Sequence, residues 1–380
     1  MPQTVNIKSE ILYPEDISKI SAQYSTIEAF LYDRCMGRLK GIEDAHLRES
    51  YEKLDQYITS TLAPQPQSGL QLYQQASKDL RVLPTGCESL DELFGHGVRE
   101  GQVTELVGES SSGKTQVLMQ LAAVTALRGE GVIFFDLTNS FRAERVLRMA
   151  AATSGLSPEA ASSESFAKEV LSNIAVLRAH DIHHVLSLMD MVARALEQHH
   201  FQPGGQAPTT DDSSAAAAQA SQQAPGGASI TPSLSGLLGS AVPSLLILDS
   251  ISSVVTPVLG GKQHSQGHVL MLSLSRIVKQ CADRYKLAAV VSNHVVGGGG
   301  SSIWPPPAGS SSSSSTKPAL GEHWRNQCSW RVQLSVVQSG DGGIGLRVAE
   351  RLASPLHAPG AQAWFRIIEE GLISIPPPQR

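Results

Sequence analysis

The spacing of apolar positions along this chain changes at two places. Between residues 15 and 60 they recur every three or four residues: Ile17, Ile20, Tyr24 and Ile27, then Phe30, Leu31, Met36 and Leu39. Leu47, Tyr51, Leu54 and Ile58 continue at the same period over residues 42–62. One apolar stripe per helical turn predicts amphipathic helices. The segment APQPQSG, residues 63–69, interrupts the pattern and predicts a linker. From residue 103 on, short apolar runs alternate with longer periodic ones. Val103–Val107, Val132–Phe135, Ile174–Leu177, Leu245–Leu248 and Ala288–Ser292 read as buried strands. Lys114–Leu127, Arg142–Ala152, Ile182–Glu197 and Val269–Tyr285 read as the helices that accompany them. This alternation predicts an α/β body with a mostly parallel sheet covered on both faces. Three later runs, Trp330–Val337, Gly345–Ala349 and Trp364–Ile368, follow one another closely and predict an antiparallel edge.

Two stretches carry no periodicity. Residues 202–244 and 297–316 are Gly, Pro, Ser, Ala and Gln tracts with almost no charge and little to bury, which predicts flexible insertions. The expected organisation is a helical N-terminal domain at 1–62, a linker at 63–83, the α/β core at 84–373 and a flexible tail at 374–380. The Pro-rich end from Ile375 to Pro378 reads as part of that tail.

Chemistry enters at Gly108-Glu109-Ser110-Ser111-Ser112-Gly113-Lys114-Thr115, followed by Gln116. This is G-x-x-x-x-G-K-[ST] with a strand before it and a helix after it. Two glycines let the backbone curl so that its N–H groups point at phosphate, and the helix N-terminus adds its positive dipole end. Lys114 is placed to reach the outer phosphates, and the Thr115 hydroxyl to ligate Mg²⁺. A second half-site is Asp249, which ends an apolar strand where a carboxylate can hold Mg²⁺. Hydrolysis needs one further group to orient water. Asp136, Thr138 and Asn139 follow the second strand, and Asn293 and His294 follow the fifth. Lys114, Asp249 and His294 are the candidate catalytic side chains, and His294 also reads as an ordinary surface or core histidine. His180, His183, His184, His199 and His200 have no zinc-type spacing and read as helix-surface residues. Arg142, Glu144 and Arg145 read as a solvated helix start, with a nucleotide role open for one arginine.

Composition narrows the field. Charged residues are 17% of 380, and acids outnumber bases 35 to 30. No bulk positive field is available to attract nucleic acid, although a local basic loop remains compatible. Aromatics are only 5%, too few for a protein built on base-stacking platforms. The four cysteines, Cys35, Cys87, Cys281 and Cys328, lie far apart and read as reduced thiols. No secretory signal or membrane-length apolar run is visible. These features predict a soluble intracellular protein with no membrane partner.

The residues around these motifs resemble a known family. Pro84–Gly97 (PTGCESLDELFGHG), Glu100–Glu109 (EGQVTELVGE) and Gly113–Gln116 (GKTQ) are similar to the ATPase core of the RecA-type strand-exchange recombinases, in the archaeal and eukaryotic branch. Phe141–Arg145 (FRAER) resembles the same branch. Ser292–His294 (SNH), Lys317–Gly321 (KPALG) and Trp324 resemble the recombinase paralogues, nearest those lettered D. The likeness spans roughly residues 70–350. It implies a RecA-like fold, ATP and Mg²⁺ as cofactors, and a nuclear role in homologous recombination and double-strand-break repair. It also implies other recombinase paralogues as partners in a hetero-oligomer acting on single-stranded or branched DNA. By position, Gly108 through Gln116 carry over to the nucleotide, and Thr115 and Asp249 to Mg²⁺.

Three departures stand out. The recombinases carry an acidic, water-activating residue where this chain has Thr138, so slow hydrolysis is expected. The branch usually has Gln where His294 stands. The two DNA-binding loops of the family are poorly basic here, offering Lys262, His264 and His268 in the first and Lys317 beside the second. In the linker, Tyr73 and Ala76 resemble the aromatic-x-x-Ala plug by which family members dock on a neighbour, and read more readily as an ordinary amphipathic linker turn. Two other readings stay open: a structural mediator that binds ATP without hydrolysing it, and a small-molecule P-loop kinase.

Overall fold

The computed structural model describes residues 19–20, 22–24, 27–36, 45–59, 66–79, 81–156, 163–200, 241–259, 264–296, 317–318, 320, 324–337 and 345–377. The chain divides into two compact units, Met1–Asp79 and Leu80–Arg380.

The first unit holds helices α1 (Ile27–Cys35), α2 (Ala45–Tyr57) and α3 (Gly69–Asp79). Ile20, Tyr24, Phe30, Tyr51, Leu54 and Ile58 form its core, matching the predicted stripe. Phe30 stacks on Tyr51 at 5.8 Å and meets Tyr24 edge-on at 5.5 Å. Met36, expected on the stripe, is exposed instead, because it lies one residue past the end of α1. Ile17 and Leu39 lie outside the described residues. The expected linker contains a helix: Ser68 starts α3, accepting from the Gln71 N–H while the Gln71 side chain accepts from the Ser68 N–H. This reciprocal capping box is the device that begins a helix after a Pro/Gln run.

The second unit contains β1 (Val82–Leu83), α4 (Glu88–Phe94), β2 (Val98–Arg99), β3 (Val103–Gly108), α5 (Lys114–Leu127), β4 (Gly131–Asp136), α6 (Ala143–Ser154), α7 (Glu164–Leu171), β5 (Ile174–Arg178) and α8 (Ile182–His200). It continues with β6 (Pro243–Asp249), α9 (Ile251–Leu259), α10 (His264–Tyr285), β7 (Ala288–Val296), β8 (Lys317–Pro318), β9 (Trp330–Val336), β10 (Leu346–Ala353), β11 (Gln362–Ile367) and β12 (Leu372–Ile375). β1 and β2 form a small antiparallel pair. The other ten strands form one sheet in the order β12-β11-β10-β9-β3-β7-β6-β4-β5, with β8 paired to β7. The pairings from β9 through β5 are parallel, and those among β9 to β12 are antiparallel.

Strand alternation sorts two cores. Leu245, Ile247, Val132, Phe134 and Val290 face α4 to α7. Leu246, Leu248, Ile133, Phe135 and Val291 face α8 to α10. Both faces are dry, which is why these strands read as unbroken apolar runs.

Several boundaries differ from the sequence expectation. β6 begins at Pro243, inside the predicted 202–244 insertion, because Pro243 and Ser244 are already buried. Ser374 and Ile375, expected in the tail, pair with Phe365 and Trp364. α10 starts at His264, not Val269, so His264 and His268 stand on a helix rather than in a loop. Gly267 allows the close approach of α9 there: a Cβ on it would lie 2.1 Å from the Val258 carbonyl oxygen. Residues 297–316 lie outside the described residues.

Candidate nucleotide site

The chain leaves β3 at Gly108 and must turn at once into α5. β3 is flanked by β7 on one side and β9 on the other. The next strand in sequence, β4, lies two strands further, beyond β7 and β6. That crossover makes the carboxyl ends of β3 and β7 a topological switch point, where α/β sheets open a crevice. Gly113 caps α5 with φ 104°, a left-handed conformation that suits glycine. A Cβ on Gly113 would also come within 2.8 Å of Ile367.

Lys114 is 4% exposed. Its Nζ donates to the Gly108 carbonyl at 2.8 Å, the Glu109 carbonyl at 2.7 Å and the Ser112 hydroxyl at 3.3 Å. Burial pushes the Lys114 ammonium down to about 8, against the opposing pull of Asp249 and Glu109. Asp249 ends β6, 2% exposed, directly beside Asp136 at the end of β4. Ser292 donates to its Oδ1 at 2.5 Å and Ser140 to its Oδ2 at 3.3 Å. Asp136 instead accepts the backbone N–H of Ser140 and of Phe141. It shapes the loop and, at 1% exposure, is not among the residues that line the cleft, so it is poorly placed for the water-orienting role left open for it.

One cleft of about 590 Å³ is lined by Ser110, Ser111, Gly113, Lys114, Thr115, Gln116, Thr138, Asp249, Ser250, His294, Gly345, Arg347 and Ile367. That volume suits a nucleotide-sized ligand. The sequence-predicted residues Lys114, Thr115, Asp249 and His294 therefore meet, although they come from two strands and a helix. His294 sits beside Gly108 in the β3–β7 register, and burial together with nearby Lys114 lowers its pKa. It faces the cleft chiefly as a neutral imidazole, able to donate one N–H. Thr138 is exposed at the rim and shares a 2.8 Å hydrogen bond with Ser140.

No cluster of three or more His, Cys, Asp or Glu able to hold a metal occurs among the described residues. A Mg²⁺ in this cleft would take one carboxylate, Asp249, one hydroxyl, Thr115, and phosphate and water oxygens. That donor set fits Mg²⁺, which keeps several waters and shares phosphate ligands.

Other predicted residues fall elsewhere. Arg145 does not reach the cleft's phosphate end. It donates to Gln116 Oε1 at 2.8 Å, to the Ile368 carbonyl at 2.7 Å and to the Glu369 carbonyl. Lys262 lies outside the described residues. Lys317 pairs with Val296 in the β7–β8 ladder, and His268 is half-buried on α10. Tyr73 is 72% exposed on α3. Ser250, Gly345, Arg347 and Ile367 also line the cleft and belong to no motif named in the sequence. They come to the cleft through strand pairing, which leaves no local mark on the chain.

Glu105 ties the resembling motifs together. This fully buried carboxylate in β3 accepts from Arg331 Nε at 2.6 Å, Asn293 Nδ2 at 2.8 Å and Trp324 Nε1 at 2.9 Å. The Ser292–His294 motif and Trp324 thus share one anchor on the strand that carries the phosphate loop.

The sheet order, the switch-point cleft and the phosphate-loop motif define a RecA-like P-loop protein. The sequence profile of the Rad51 family matches residues 76–203. The chain belongs to the Rad51 family and, within it, to the RecA-type recombinase paralogues. It is 30% identical over 300 residues to DNA repair protein RAD51 homolog 4 of Bos taurus, covering 78% of this chain and 74% of that protein. The Mus musculus protein of the same name is 29% identical over 304 residues, covering 80% and 75%. DNA repair protein rhp51 of Schizosaccharomyces pombe is 27% identical over 292 residues, covering 74% and 64%. Membership implies a part in DNA repair and homologous recombination.

Proposed function

We propose that this chain binds ATP with Mg²⁺ in the cleft between β3, β6 and β7, and acts in recombinational repair as one subunit of a complex of recombinase paralogues. The observation that carries this reading is the convergence of Lys114, Thr115 and Asp249 on one cleft at the switch point. Lys114 and the N–H groups of residues 109–115 bind the phosphates, and Thr115 and Asp249 hold the metal. Bound Mg²⁺ would supply charge neutralisation on the outer phosphates. Ser292 and Ser140 fix the Asp249 carboxylate through its two oxygens. His294 stands where it can donate to the outermost phosphate.

Hydrolysis is slow and DNA-dependent in this account. Thr138 offers a hydroxyl where a carboxylate would take the proton from water. DNA, single-stranded or branched, is gripped weakly by Lys262, His264, His268 and Lys317, and the partner subunits supply the rest of the charge. Tyr73 and Ala76 on α3 are the residues proposed to dock on a neighbouring subunit, and the complex works in the nucleus. Replacement of the acidic residue by Thr138 also favours a second reading, a mediator that binds ATP and never turns it over. ATP turnover with and without single-stranded DNA separates the two: stimulated turnover supports the first, and none at any DNA concentration supports the second.

A further inference from the structure

Among the described residues, two cations, Lys114 and Arg347, line the cleft at the phosphate loop. Lys114 spends its three donors on the loop's own oxygens. Arg347 approaches from β10, a strand that the sequence motifs do not include. It lies two residues before Ala349, which is buried in the core on the α5 side of the sheet. The period of two directs Arg347 to that same side, over the start of α5.

There Arg347 Nη2 donates to the Ser111 carbonyl at 3.3 Å and Nη1 to the Leu346 carbonyl at 3.2 Å. Its Nε is buried with no hydrogen-bond partner. That atom lies 3.9 Å from where a Cβ on Gly113 would stand. Arg351, four residues along the same strand, shows the contrast. Its Nε donates to the Ala358 carbonyl at 2.9 Å and its Nη1 to the Leu93 carbonyl at 2.8 Å. Burial lowers the Arg347 pKa, and no carboxylate among the described residues offsets it. A guanidinium stays charged under these conditions and offers a rigid fork suited to phosphate. A desolvated cation with an unmatched donor, on the wall of an anion-binding cleft, is completed by an anion.

We propose that Arg347 is a nucleotide-contacting residue, lent to the phosphate loop by the antiparallel edge of the sheet and directed at the diphosphate group that ATP and ADP share. Sheet order supplies the direction. β10 and β9 lie on one side of β3, whereas β7 and β6, with His294 and Asp249, lie on the other. Arg347 thus reaches the phosphates from the side away from the metal and the outermost phosphate. The assignment rests on the nucleotide reading of this cleft and deepens it.

The test is calorimetric titration of the full-length chain with MgATP and with MgADP, for the wild type, Arg347→Gln, Arg347→Lys, His294→Ala and Lys114→Ala. Loss of one charge-assisted phosphate contact makes Arg347→Gln about tenfold weaker for both nucleotides. Arg347→Lys recovers part of that loss, and His294→Ala weakens ATP alone. Nucleotide-free melting temperatures of both Arg347 variants match the wild type. Unchanged affinity in Arg347→Gln overturns the proposal, as does a loss confined to ATP. A lowered melting temperature in both variants with equal losses makes Arg347 a brace for the loop and also overturns it. If Lys114→Ala binds ATP like the wild type, the nucleotide reading itself fails, and the assignment of Arg347 with it.

Discussion

Lys114 shows how much a single buried charge decides. Its ammonium is desolvated by the loop it serves, and that burial brings its pKa down to about 8. Phosphate binding needs the charged form. ATP affinity is therefore full below pH 8 and falls as pH rises through that value, while binding near pH 8 takes up protons. Titration in buffers of different ionisation heat checks both, and a flat affinity between pH 7 and 9 would contradict it. Lys114 was legible because its motif is contiguous, Gly108 to Thr115, and each residue type has a local reason. Arg347 and Ser140 were not. Each is an ordinary residue until sheet pairing sets it beside Asp249 or Ser111, far away in sequence. Asp136 shows the converse: it looked like a candidate water-orienting group and is occupied by the backbone of Ser140 and Phe141.

Elements were read well where one period dominates. Five of the six parallel strands and four of the helices, α5, α6, α8 and α10, follow from apolar runs and stripes. Among the elements the pattern missed are ones begun by capping or held by pairing: α3, started by Ser68 and Gln71; β12, defined by its ladder with β11; and the first turn of α10. The Glu105 node belongs to this scale, because it joins β3, β7, β9 and Trp324 through one carboxylate. Arg331 is 4% exposed, and its partner Glu105 is wholly buried. Arg331→Leu leaves an unpaired buried carboxylate and costs about 3–5 kcal/mol of stability. Chemical denaturation checks this, and a loss under about 1 kcal/mol would show that the node is dispensable. The double variant Glu105→Gln with Arg331→Leu recovers part of the loss, because it removes the stranded charge.

At the scale of the molecule, every residue lining the candidate cleft lies in the unit formed by Leu80–Arg380. A fragment comprising residues 80–380 therefore keeps the ATP affinity of the full chain. Saturating nucleotide at about a hundred times Kd adds roughly 2.7 kcal/mol to its stability, readable as a rise in melting temperature. No helix among the described residues is long and apolar enough to cross a membrane. The low charged fraction noted in the sequence is partly an effect of the two nearly uncharged tracts, and the α/β core keeps a buried ion pair, Glu105–Arg331. The most direct test of the central claim is equilibrium binding of MgATP to the full-length chain and to Lys114→Ala. The account predicts saturable binding by the wild type and a loss of at least about tenfold in the variant, as expected when a charge-assisted phosphate contact is removed. Equal affinity in the two proteins would contradict it.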